Sequence, residues 1–167
     1  MSPTGPASGD RRRIRQIMTT MAFTSVLGPG YKQELERLLF FNQNQEKVRA
    51  DLPLLIERYG MAHVVVSDDR LRVVLEASPE PETLYVLERS AGGDRLVGVM
   101  VYLRQGDTLA LVVAAVAEDY AGKHTAGQQP LVRKMVDQLR DVARRVGGIT
   151  SVTLFPATPR ERKLHVR

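Results

Sequence analysis

Apolar residues recur at helical spacing most clearly from Pro130 to Val146. Leu131, Val132, Met135, Val136, Leu139, Val142, Ala143 and Val146 fall on one side, and Arg133, Lys134, Asp137, Arg140, Asp141 and Arg144 on the other. Pro130 suits the first turn of a helix and Gly147 its stop. Before this helix the period changes. Thr83–Glu88, Arg95–Leu103 and Thr108–Ala117 are apolar, β-branched runs separated by the turn residues Ala91–Asp94 and Gly106-Asp107. Three such runs with short polar connections predict an antiparallel meander. Ile149–Phe155 predicts a further strand after the helix, placed parallel to Thr108–Ala117 by a crossover.

The N-terminal half is less regular. Met21–Leu27 is compatible with a strand, ended by Gly28-Pro29-Gly30. Tyr31–Phe41 reads as a helix with Leu35, Leu38 and Leu39 on one face. Asn42–Gln45 has no apolar anchor. Glu46–Tyr59 is a second helical region. Pro53 removes a backbone donor there, so Asp51 is expected to cap a shorter helix through Arg58, closed by Gly60. Ala62–Val66 and Arg70–Leu75 predict a hairpin about Ser67-Asp68-Asp69.

Composition narrows the classes. The chain has 167 residues, long enough for one domain with a sizeable core, and its 43% apolar and 26% charged residues are those of a globular protein. No apolar run has the length of a membrane span. The absence of Cys excludes disulfides and thiolate sites and fits a cytoplasmic setting. His63, His124 and His165 have no companions at metal-ligand spacing. The net charge of +5 is loaded toward the ends, in Arg11–Arg15 and Arg160–Arg167. Nucleic-acid binding through Arg11–Arg15 is therefore a third-ranked reading, and the scarcity of aromatics argues against a base-stacking platform. The expected layout is a disordered basic arm over 1–13, one domain over 14–155 and a basic tail over 156–167.

The order helix, helix, antiparallel strands, loop, helix, strand resembles the GNAT superfamily of N-acetyltransferases. The likeness is sharpest at Ala115-Val-Ala-Glu-Asp-Tyr-Ala-Gly-Lys123, where the family has a pattern such as Ala-Val-x-Pro-Glu-Tyr-Arg-Gly-Lys. The helix ending Ala143-Arg-Arg-Val-Gly147 is similar to the family's Ala-Arg-x-x-Gly. Residues 83 to 155 carry the resemblance. It implies a mixed α/β fold with a mostly antiparallel central sheet flanked by helices. It also implies an acetyl-CoA cofactor and acetyl transfer to an amine. Ala115, Val116, Ala121, Gly122, Lys123, His124, Thr125, Ala126 and Gly127 would then line the cofactor, and Glu118 and Tyr120 would be the candidates for the chemistry. Glu118 is the candidate base, while Tyr120 also reads as an anchor for the loop. The sequence departs from the family in three places. Ala121 and His124 stand where Arg and Gly are usual in the pyrophosphate loop. Leu109–Ala117 carries no carboxylate. Pro156–Arg167 has neither the family's C-terminal Tyr nor length for its last elements. An alternative of another class stays open: a non-catalytic interaction module on the same fold, pairing through an exposed sheet edge with a protein partner or, as a homodimer, with a second copy.

Overall fold

The computed structural model describes residues 19–42, 51–78, 80–121 and 129–166. The expected arm, the segment 43–50 and the stretch 122–128 lie outside the described residues.

The meander forms as expected, because each run can bury both of its faces. Strands β4 (Glu82–Ser90), β5 (Gly93–Gln105) and β6 (Thr108–Val116) pair antiparallel in chain order. β1 (Thr20–Thr24) joins the outer edge of β4. β7 (Ser151–Leu154) lies parallel to β6, reached by the predicted crossover. β8 (Arg162–His165) completes the order β1-β4-β5-β6-β7-β8. The class is mixed α/β, with a mostly antiparallel sheet between helices. The tail needs correction: Pro156–Arg167 includes a strand, paired antiparallel with β7. Its Arg162, Lys163 and His165 hid that role, since charged side chains are usual on an exposed edge.

Helices cover the two faces. On one, α3 (Leu131–Arg145) buries Leu131, Met135, Leu139 and Ala143 against Leu84, Val86, Val97, Met100, Leu111 and Val152. On the other, α1 (Lys32–Phe40) and α2 (Leu52–Tyr59) pack Leu35, Leu38, Leu39 and Leu55 over Tyr85, Val99, Val101 and Val112. Each fully buried Leu, Val or Met among these contributes about 1.5–3 kcal/mol by leaving water. α2 starts at Leu52, one residue before Pro53, and Gly60 ends it at φ 74°. Asp51 sits at the cap position, but its side chain bonds no backbone amide there; it is drawn elsewhere, as shown below.

The predicted hairpin, β2 (Ala62–Ser67) and β3 (Arg70–Leu75), forms a separate two-stranded sheet. Asp68 and Asp69 both take positive φ (52° and 55°), the twist a two-residue hairpin turn requires. The Tyr85 hydroxyl donates to Leu71 O at 3.0 Å, and Leu71 N donates to Leu27 O at 2.8 Å, which dock the hairpin on the main sheet.

Two bulges shape the sheet. In β5 the register shifts at Val97, so Val97 and Gly98 both turn toward α3. A Cβ on Gly98 would stand 3.1 Å from Val86 Cγ2 and 3.2 Å from Met135 Sδ, so a larger residue would force those side chains to give way, and glycine lets the helix approach closely. In β6 the shift is at Val112, which pairs with no residue of β5. Val112 and Val113 therefore both face α1 and α2, and the strand bends there.

Candidate functional site

β6 has two halves. Thr108–Leu111 is flanked on both sides, by β5 and by Ser151–Leu154 of β7. The last link on the β7 side is Phe155 N to Leu111 O at 2.8 Å. β7 then ends, while β6 continues through Val116. The bulge at Val112 falls at this divergence. Beyond it Val113, Ala114 and Ala115 are half-buried, and Val116 is buried. Beyond Leu111, β6 therefore has no strand partner on the β7 side among the described residues. The strand leads through a single helical turn, Glu118–Tyr120, into the segment before α3.

The end of β6 is held firmly. Buried Asn42, just past α1, donates its amide to Val116 O. Ala117 N donates to Val97 O at 2.8 Å. The Tyr120 hydroxyl donates to the Glu88 carboxylate of β4. Arg95 of β5 joins them: its Nε reaches Glu88 Oε1 at 3.2 Å, its Nη2 reaches Asp119 Oδ2 at 2.7 Å, and its guanidinium lies 5.8 Å from the Tyr120 ring centre. Asp119, then Glu88, hold the Arg95 guanidinium in its charged form. Burial first, and the Glu88 hydrogen bond and charge next, push the Tyr120 phenol up to about 12. Tyr120 is therefore neutral near pH 7 and committed to Glu88.

The sequence-derived candidates separate accordingly. Ala115 and Val116 lie on the diverging half of β6, and Ala121 follows the helical turn. Gly122, Lys123, His124, Thr125, Ala126 and Gly127 lie outside the described residues. Glu118 is exposed at the start of the helical turn, and Tyr120 faces the sheet beneath α3. Glu88, Arg95 and Asn42 escaped sequence reasoning. Their partners are 32, 24 and 74 residues away, and no local pattern links them.

A second charged pair lies beyond the end of β7. Asp51, 3% exposed, receives Nε of Arg160 from the turn between β7 and β8. This explains why Asp51 does not cap α2: a buried carboxylate is costly unless a cation meets it. Arg160 also stacks 4.2 Å from the Phe155 ring centre.

No family model and no curated protein matches this chain. Among solved structures, the crystal structure of nourseothricin acetyltransferase is similar over 80% of this chain and 72% of that one, at 18% identity and a TM-score of 0.41. So loose a likeness passes no activity from one chain to the other. Among the described residues, no helix is long and apolar enough to cross a membrane.

Proposed function

We propose that this domain binds an acyl-coenzyme A thioester along the diverging half of β6 and belongs to N-acyl transfer chemistry, with an amine as acceptor. The observation that carries this is the departure of β7 from β6 at Leu111 and Leu154, with a bulge in β6 at that point. It leaves Val112–Val116 without a strand partner on that side among the described residues, and the stretch includes the small side chains of Ala114 and Ala115. A thin pantetheine-like arm fits such an edge, pairing with strand backbone as a further strand would. When bound, the coenzyme supplies an activated acyl group. The chain's own part is positional. Backbone amides beyond the bulge would hold and orient the carbonyl of a bound thioester. Asn42, Glu88, Arg95 and Tyr120 fix the strand end from which the segment 121–129 departs. Glu118, at the exposed turn, is the candidate acceptor for the amine proton. Ala121 and His124 in place of the usual Arg and Gly predict weaker phosphate binding than in the resembled family. The cysteine-free chain suits the cytoplasm. Isothermal calorimetry with acetyl-CoA tests the reading. Saturable heat supports it, and no heat at millimolar concentrations of both components rules it out.

A second reading is favoured by β1. Among the described residues this strand bonds β4 on one side and no strand on the other, and Thr20–Thr24 has neither charge nor proline to guard that edge. Pairing there with a second copy would make the domain an interaction module. Sedimentation across a wide concentration range distinguishes the two: a constant monomer mass removes the second reading.

A further inference from the structure

The turn that links β7 to β8 encloses an open hollow of about 380 Å³, lined by Leu154, Phe155, Pro159, Arg160, Glu161 and Arg162. That volume lies in the range of small-ligand pockets. We propose that it binds a small organic carboxylate with an apolar body.

Four observations converge on this. Arg160 spends Nε on Asp51, but its Nη2 is shielded from water and has no partner among the described residues. A shielded donor without an acceptor is costly, and a small turn of the guanidinium toward the hollow would let a ligand oxygen remove that cost. Two guanidiniums line the hollow against one carboxylate. That carboxylate, Glu161, is engaged through Oε2 by Ala157 N at 2.5 Å. Asp51 offsets part of the Arg160 charge, yet it also anchors the guanidinium through Nε beside the hollow, which leaves the two Nη groups as the ones a carboxylate would engage. The remaining walls, Leu154, Phe155 and Pro159, are apolar, and Phe155 already stacks on Arg160. Finally, Phe155 and Ala157 hold positive φ (49° and 62°) although neither is glycine. The turn is over-determined by Thr158, whose Oγ1 donates to Phe155 O at 2.7 Å and accepts from Arg160 N at 3.2 Å. Backbone held in this region by its surroundings is a recurrent property of ligand sites.

The inference concerns binding alone and does not depend on acyl transfer. The experiment is a titration of the full ¹⁵N-labelled chain with sodium benzoate, and in parallel with neutral benzamide. Benzoate is expected to shift the Arg160 Nε–Hε signal and the amides of residues 154–162 saturably, and benzamide to leave them in place. Arg160→Lys keeps a cation beside Asp51 but loses the two Nη groups, and should weaken benzoate by roughly tenfold or more. Arg162→Gln, on the exposed edge strand, provides a variant that leaves the buried pair intact and should weaken it severalfold. Non-saturable shifts, equal shifts with benzamide, or unchanged affinity in both variants would each overturn the proposal.

Discussion

The two halves of β6 differ in what holds them. The first half is stapled to its parallel neighbour: Asp107 O accepts Thr150 N at 2.8 Å, Asp107 Oδ2 accepts Thr150 Oγ1 at 2.6 Å, and Thr108 Oγ1 meets Ser151 Oγ at 2.9 Å. Its side chains are core, with Leu109, Ala110 and Leu111 buried. The second half has lost β7. It is held by polar contacts from elsewhere in the chain: Asn42 from the end of α1, and Glu88 and Arg95 acting through Tyr120 and Asp119. One strand thus combines a root paired on both sides and a tip that, among the described residues, is paired with a strand on one side only.

Substitutions should separate the two halves. Leu111→Ala, in the stapled half and fully buried, should cost about 2–5 kcal/mol in urea unfolding. Tyr120→Phe removes a hydrogen bond to a carboxylate and should cost about 1.5–3 kcal/mol. Val113→Ala, half-buried on the open half, should cost only about 1 kcal/mol. A loss at Val113 equal to that at Leu111 would contradict the division.

The pH response gives a finer test. The Tyr120 pKa is raised in the folded state, so the folded chain holds that proton more tightly than the unfolded chain. The stability this confers is fully present below pH 10 and is lost as pH rises toward about 12. Burial also raises Tyr85 and Tyr102, so phenolate absorbance should show a late-titrating component that Tyr120→Phe reduces by one tyrosine. At the opposite end of β6, the hydrogen bond from Thr150 holds the Asp107 carboxyl below its usual range. The small stability it confers is present above the unfolded pKa and is lost as pH falls through the folded one. Thr150→Val should move the Asp107 carbon-13 titration back toward the ordinary carboxylate value.

Much of this architecture is legible in the chain. The meander, α3 and the parallel β7 follow from periodicity and turn residues, because each element buries its own pattern. The bulge at Val112 is not legible. Thr108–Ala117 is apolar almost throughout, so two successive residues on one face break no visible alternation. β8 is short and charged, and it becomes a strand only because β7 offers it an edge. The candidate site divides in the same way. Ala115, Val116, Glu118 and Tyr120 are candidates that the local resemblance alone proposes. Asn42, Glu88, Arg95 and the Asp51–Arg160 pair arise from contacts between distant segments, which no local window of sequence contains.

The most direct measurement is an amide map of the two halves of β6 by NMR during titration with coenzyme A. Saturable shifts confined to Val112–Val116 and the residues that follow, with Thr108–Leu111 unmoved, are the predicted result. Saturable shifts elsewhere with Val112–Val116 unmoved, or no shift at millimolar coenzyme, would contradict the assignment of this edge as the cofactor site.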